Sequence, residues 1–162
     1  MLRSPLTMRF ARALGPLLLL ATGCAGELIP NTDVPDTAQN RQVIQFVERY
    51  RHAVEARDVP AVLGLVSEQY LDDNGTITTE DDRDYDTLRE QLARWGGEVL
   101  DVRYEMRYRR VTVRPNRIFV DFTYTGSFKI ATPTGDRWSR RLADNRLELV
   151  EQDGEYRIVS GM

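Results

Sequence analysis

The chain has 162 residues, with 25 acidic and 22 basic side chains, a formal charge of −3 and one cysteine. That length fits one domain, a lone thiol leaves no intrachain disulfide, and an acidic balance argues against nucleic acid as a partner. Lys129 is the only lysine beside 21 arginines, a bias that fits a GC-rich genome better than a basic binding face.

The first 23 residues carry Arg3, Arg9 and Arg12, no acid, and the run Leu17-Leu18-Leu19-Leu20-Ala21-Thr22-Gly23. A positive start, a short apolar stretch and small residues before a cut make a secretory signal, and Met8 would serve as a start as well as Met1. Ala13 to Ala21, with Gly15 and Pro16 inside, is shorter than the roughly 20 residues a membrane-spanning helix needs. Cys24 follows the cut, an arrangement that resembles the lipobox of bacterial lipoproteins, with Ala21 where that motif prefers Leu. The resemblance implies that Cys24 is acylated, and several acyl chains hold a protein firmly to a bilayer. Ala25-Gly26 in place of an Asp after the cysteine implies the outer membrane of a Gram-negative cell, facing the periplasm. Loss of residues 1–23 removes three arginines and takes the charge from −3 to −6. The expected division is a signal over 1–23, the lipidated Cys24 with a flexible tether over 24–37, and a folded domain over 38–162. The tether reading rests on Pro30, Pro35 and small polar residues without a period.

The spacing of Val43, Phe46, Val47, Tyr50 and Val54 predicts a helix from about Ala38 to Arg57. Asp58 and Pro60 open a second, shorter helix carrying Val62, Leu63, Leu65 and Val66. Ser67 to Arg83 reads as a polar loop. Tyr85, Leu88, Leu92 and Trp95 predict a third helix from about Asp84 to Trp95, with Gly96 and Gly97 as its C-terminal cap. The period then falls to two: Leu100, Val102, Tyr104, Met106 and Tyr108 alternate with charged residues. A parity switch to Val111 and Val113 predicts a bulge near Arg109-Arg110. Pro115-Asn116 turns the chain into a strand from Ile118 to Ile130, and Pro133 to Asp136 turns it again. The strand from Trp138 to Glu151 also changes parity, which predicts a second bulge between Leu142 and Leu147. Asp153-Gly154 is a hairpin turn before a closing strand, Tyr156 to Val159.

Three helices followed by four long antiparallel strands give an α+β order. Ala56-Arg57-Asp58-Val59-Pro60-Ala61-Val62-Leu63, the Phe46–Tyr50 helix segment and the closing Gly154-Glu155-Tyr156-Arg157-Ile158 resemble the nuclear-transport-factor-2-like superfamily, also called SnoaL-like or cystatin-like. The resemblance spans about residues 38–160. It implies a strongly curved, mainly antiparallel four-stranded sheet wrapping three helices into a cone with a pocket. Members use that pocket for isomerisation, dehydration, ligand binding or assembly, and fold alone does not choose among these.

Inward parity and the helix stripe predict pocket walls from Tyr50, Tyr104, Tyr124 and Trp138, with Tyr108, Arg140 and Asp144 as further polar candidates. A pocket base of the isomerase type needs a carboxylate facing an acid donor, and Asp144 sits where the strand parity changes, so its direction is open. The single histidine, His52, lies beside Arg51 on the first helix and reads as a surface residue. Asp72-Asp73-Asn74-Gly75-Thr76 lacks the register of a calcium loop, because Tyr70 would have to be the first ligand, so neither metal nor cofactor is expected. These readings favour a membrane-anchored module binding a small apolar ligand or a protein partner without catalysis. The alternatives are a pocket enzyme of isomerase or dehydratase type and a structural homodimer. Trp95 and Trp138 are both expected in the core between sheet and helices.

Overall fold

The computed structural model describes residues 26–162; the signal expected over 1–23 and Cys24 lie outside them. Helix α1 (Ala38–Glu55) starts at Thr37, whose side chain accepts from the Asn40 amide, and buries Val43, Phe46, Val47 and Tyr50 along one stripe. Arg57 takes φ +57 just after it and turns the chain. Asp58 then caps the five-residue α2 (Val59–Leu63) by accepting from the Ala61 amide, with Pro60 in the first turn. Helix α3 (Tyr85–Glu98) is capped by Asp84, which accepts from the Thr87 amide.

Two short strands, β1 (Leu71–Asp72) and β2 (Arg83–Asp84), pair antiparallel inside what reads from sequence as a plain loop. Strands of two residues show no periodicity, so no pattern announces them. The main sheet has the order β3 (Val99–Arg114), β4 (Arg117–Ile130), β5 (Arg137–Gln152), β6 (Glu155–Ser160), all antiparallel neighbours. Its inner face contributes Val102, Tyr104, Tyr108, Val120, Phe122, Leu147 and Leu149 to one core shared with α1, Val62 and Leu88. The register of β3 against β4 shifts between Tyr108 and Arg110, so the bulge read from the Val111–Val113 parity is present.

Three expectations are corrected. First, no shift interrupts β4 against β5 between Trp138 and Leu149. The apparent parity change arises because Trp138 and Leu142 are apolar residues on the outer face, 46% and 68% exposed. Second, α3 runs through Gly96 and Gly97 to Glu98 rather than ending on them. A Cβ on Gly96 would lie 2.9 Å from Val59 Cγ2, so that glycine serves the close approach of α3 to α2. Third, residues 27–37 are docked instead of free. The Asp36 amide donates to Glu27 O, the Ile29 amide to Val34 O, and Val34 is fully buried. Asp33 joins this segment to the edge of β3: its amide donates to Tyr108 O, and its carboxylate accepts from Arg107 and Arg109, both at 3.0 Å. The Arg107 hydrogen bond, followed by that from Arg109, holds the Asp33 carboxyl below its ordinary range. Prolines and polar residues mark irregular backbone, and irregular backbone can still be packed.

Three carbonyls on the free edge of β3 are thus occupied. Besides Asp33, Arg51 donates to Tyr104 O at 3.3 Å and Arg57 donates to Val99 O. Carbonyls so occupied cannot template another strand.

Candidate ligand-binding site

Between the inner face of the sheet and the three helices lies a cavity of about 380 Å³. Its lining comes from α1 (Tyr50, Val54), α2 (Val62), α3 (Leu88, Leu92, Trp95) and the sheet (Tyr104, Tyr124, Phe128, Asn145). The sequence puts these together through two periods. A helical stripe aims Tyr50 and Val54 at the sheet, and strand alternation aims Tyr104 and Tyr124 back at the helices. Gly126 opens the room between them: a Cβ there would lie 2.6 Å from the Phe128 ring and 3.5 Å from Tyr104.

Tyr50 and Tyr104 are buried and Tyr124 is half-buried; the Tyr104 and Tyr124 rings lie 5.4 Å apart in a tilted pair. Burial pushes the Tyr50 phenol up to about 12 and raises that of Tyr104 further. These hydroxyls stay protonated across the physiological range and can donate hydrogen bonds, but cannot serve as bases.

The other candidates lie elsewhere. Trp138 is on the outer face, where Arg103 stacks over its ring at 5.2 Å, so it is not a pocket wall. Arg140 and Asp144 share its parity and are exposed; Thr123 donates to Asp144 at 2.6 Å on that outer side, and Asp144 edges only a wider polar cavity beside the pocket. The inward positions of β5 are instead Arg141, Ala143 and Asn145, because the strand keeps a single register. Tyr108 is buried, but its hydroxyl donates to Glu48 at 2.5 Å, beyond the pocket lining, and burial followed by that bond raises its phenol strongly. His52 remains on the outside of α1, its side chain 66% exposed and 3.7 Å from Glu48.

Sequence reasoning missed the mouth of the pocket. Arg83, Gln91, Tyr124, Asn145 and Met162 line the apolar cavity and also a wider polar one of about 1040 Å³. At their junction Asp72 is buried and takes four donors: Tyr70 hydroxyl at 3.1 Å, Arg83 at 2.8 Å, and the Asn74 and Gly161 amides at 3.1 Å each. The Met162 amide in turn donates to the Tyr70 hydroxyl at 3.2 Å. This carboxylate ties the β1–β2 hairpin to Gly161. The signal in the sequence was Asp72 with Arg83 eleven residues on, a pairing that only a hairpin brings together. Among the described residues no group of three or more His, Cys, Asp or Glu could hold a metal ion.

The chain shares its architecture with several solved structures. One is a provisionally assigned scytalone dehydratase from Novosphingobium aromaticivorans, with TM-score 0.63 and 10% identity over 76% of this chain and 80% of that one. A second is a provisionally assigned dehydratase of the nuclear-transport-factor-2-like family from Streptomyces avermitilis, with TM-score 0.59 and 12% identity over 75% and 92%. A third is a provisionally assigned calcium/calmodulin-dependent protein kinase II association domain from Xanthomonas campestris, with TM-score 0.60 and 16% identity over 83% and 94%. No family model matches the chain. No curated protein matches it either. At these identities the likeness is one of fold.

Proposed function

We propose that this protein is a lipid-anchored binding module of the bacterial cell envelope, facing the periplasm, whose pocket holds a small, mainly apolar molecule without turning it over. The observation that carries the reading is the composition of the cavity floor. Val54, Val62, Leu88, Leu92, Trp95 and Phe128 supply apolar surface, and three tyrosines supply neutral donors. A pocket of apolar walls and a few fixed polar groups suits such a ligand. A dehydratase or isomerase needs a base within reach of the substrate. The one histidine is exposed on α1, Asp72 already accepts four hydrogen bonds, and Asp73, Glu80, Asp81, Asp82 and Asp144 edge only the polar mouth and take no part in the lining of the apolar floor. The anchor reading is supported by the run ending in Cys24.

The experiment is a titration of the full chain with N-phenyl-1-naphthylamine, a neutral apolar fluorophore. Saturable binding at one site is expected, weakened about tenfold or more in Leu92→Trp, which fills the pocket with bulk, a loss of about 1.4 kcal/mol. Trp138→Ala should bind like the parent. A probe that ignores Leu92→Trp would leave the scaffold reading instead, and a catalysed water loss from a hydroxylated aromatic substrate would favour the enzyme.

A further inference from the structure

We infer that the preferred occupant of this pocket is an apolar molecule bearing one positive charge, an amine or quaternary ammonium; the inference rests on the pocket reading above. The floor alone does not choose a charge. The mouth does. On the hairpin side it presents Asp73, Glu80, Asp81 and Asp82, and none of these four makes an ion pair among the described residues. Asp82 is half-buried among them, its Oδ1 without a hydrogen-bond partner, and a partly desolvated carboxylate with no cation beside it is stabilised by an incoming positive charge.

The cations of the same mouth are mostly spent. Arg83 gives its guanidinium to Asp72 and Asn74, at 2.8 and 3.0 Å. Its Nε is also unpartnered, but the charge it carries is already balanced by Asp72. Arg146 is paired with Asp121 at 2.6 Å. Of the three arginines that line the mouth, Arg141 is the one without an ion pair among the described residues. The mouth therefore presents an excess of uncompensated negative charge above an aromatic floor. Faces of Tyr and Trp attract a cation that has shed water. An anion would meet repulsion at the rim and find only neutral phenols below. A cationic head near the carboxylates with an apolar body reaching toward Trp95 satisfies both halves of the cavity.

The test uses three probes with one body: 4-phenylbutylamine, 4-phenylbutanol and 4-phenylbutanoate. Binding is measured by calorimetry on the full chain in lipid nanodiscs, with empty nanodiscs as the blank. At low salt the amine should bind about tenfold tighter than the alcohol, and the butanoate weaker than both. The advantage of the amine should shrink as salt rises past about 0.5 M, since rim charges are screened. In Glu80→Gln/Asp82→Asn, which removes two of the four rim carboxylates, the advantage of the amine over the alcohol should fall about threefold; the salt series on the parent gives the same information should that variant misfold. Equal binding of amine and alcohol at low salt overturns the charge preference and leaves the pocket reading intact. Tightest binding of butanoate overturns it in favour of Arg141. Failure of all three to bind removes the pocket reading and this inference with it.

Discussion

Asp72 is the residue whose loss should matter most outside the apolar core. A buried carboxylate persists only when paired and hydrogen-bonded, and Asp72 has Tyr70, Arg83 and two backbone amides around it. Asp72→Ala would strand the Arg83 charge beside the pocket and release Gly161 and Tyr70. Removing one partner of a buried ion pair costs about 3–5 kcal/mol. Arg83 is 24% exposed and can reach water, so a loss of about 2–3 kcal/mol in a urea titration is expected. A loss under about 0.5 kcal/mol, the usual range of surface changes, would mean that the hairpin is not fastened through Asp72. Gly161 sits beside this cluster with φ +94, and a Cβ there would lie 1.8 Å from Arg146 O. The end of the chain therefore passes β5 at a distance only glycine permits.

The two tryptophans separate the elements in the same way. Trp95 lies on the α3 stripe with Leu88 and Leu92 and packs against the core. Trp138 lies on the outer face of β5 under Arg103. Full removal of a buried Trp side chain costs about 3–5 kcal/mol. Half-buried Trp95→Ala should cost about 2–3 kcal/mol on that scale, and Trp138→Ala at most about 1 kcal/mol, the worth of a surface cation–π contact. Reversed magnitudes would exchange the two faces of β5 and undo the pocket assignment. The same residues show what the sequence could carry. Long periodic elements were legible: the α1 stripe, the alternation of β3, and its bulge at Arg109, where the polar partner of each apolar residue changes side. The inward face of β5 was not, because alternation identifies two faces without saying which is inside. Trp138 and Leu142 make the outer face look like core, which puts Arg140 among the pocket candidates and leaves the direction of Asp144 open, while Arg141 and Asn145 go unread. The β1–β2 hairpin was hidden for another reason: its organisation depends on Asp72 and on backbone from residues 161 and 162, far along the chain.

For the whole molecule, the docked segment changes what an anchor at Cys24 would do. With Glu27 bonded to Asp36, only three peptide units separate the cysteine from packed chain. At about 3.3–3.6 Å per residue they reach roughly 10–11 Å. A lipid on Cys24 would then hold the domain against the headgroups, with little of the freedom a flexible tether over 24–37 would give. Cys24→Ser should abolish acylation and shift the protein from the membrane fraction, extracted by detergent, to an unprocessed or soluble form. Identical fractionation of the two chains would end the anchor reading. The proximity has its own measure, provided the parent is membrane-bound. A fluorescent label on an introduced cysteine at exposed Gln39, near the docked segment, should be quenched by headgroup-labelled lipid far more than one at exposed Gly135, across the molecule. Insertion of about fifteen Gly/Ser residues after Gly26, with a root-mean-square reach of about 20–23 Å, should erase that difference while leaving the protein in the membrane. Equal quenching at the two sites before the insertion would mean that the domain moves freely above the bilayer, and that the segment from Glu27 lets go of β3 in solution.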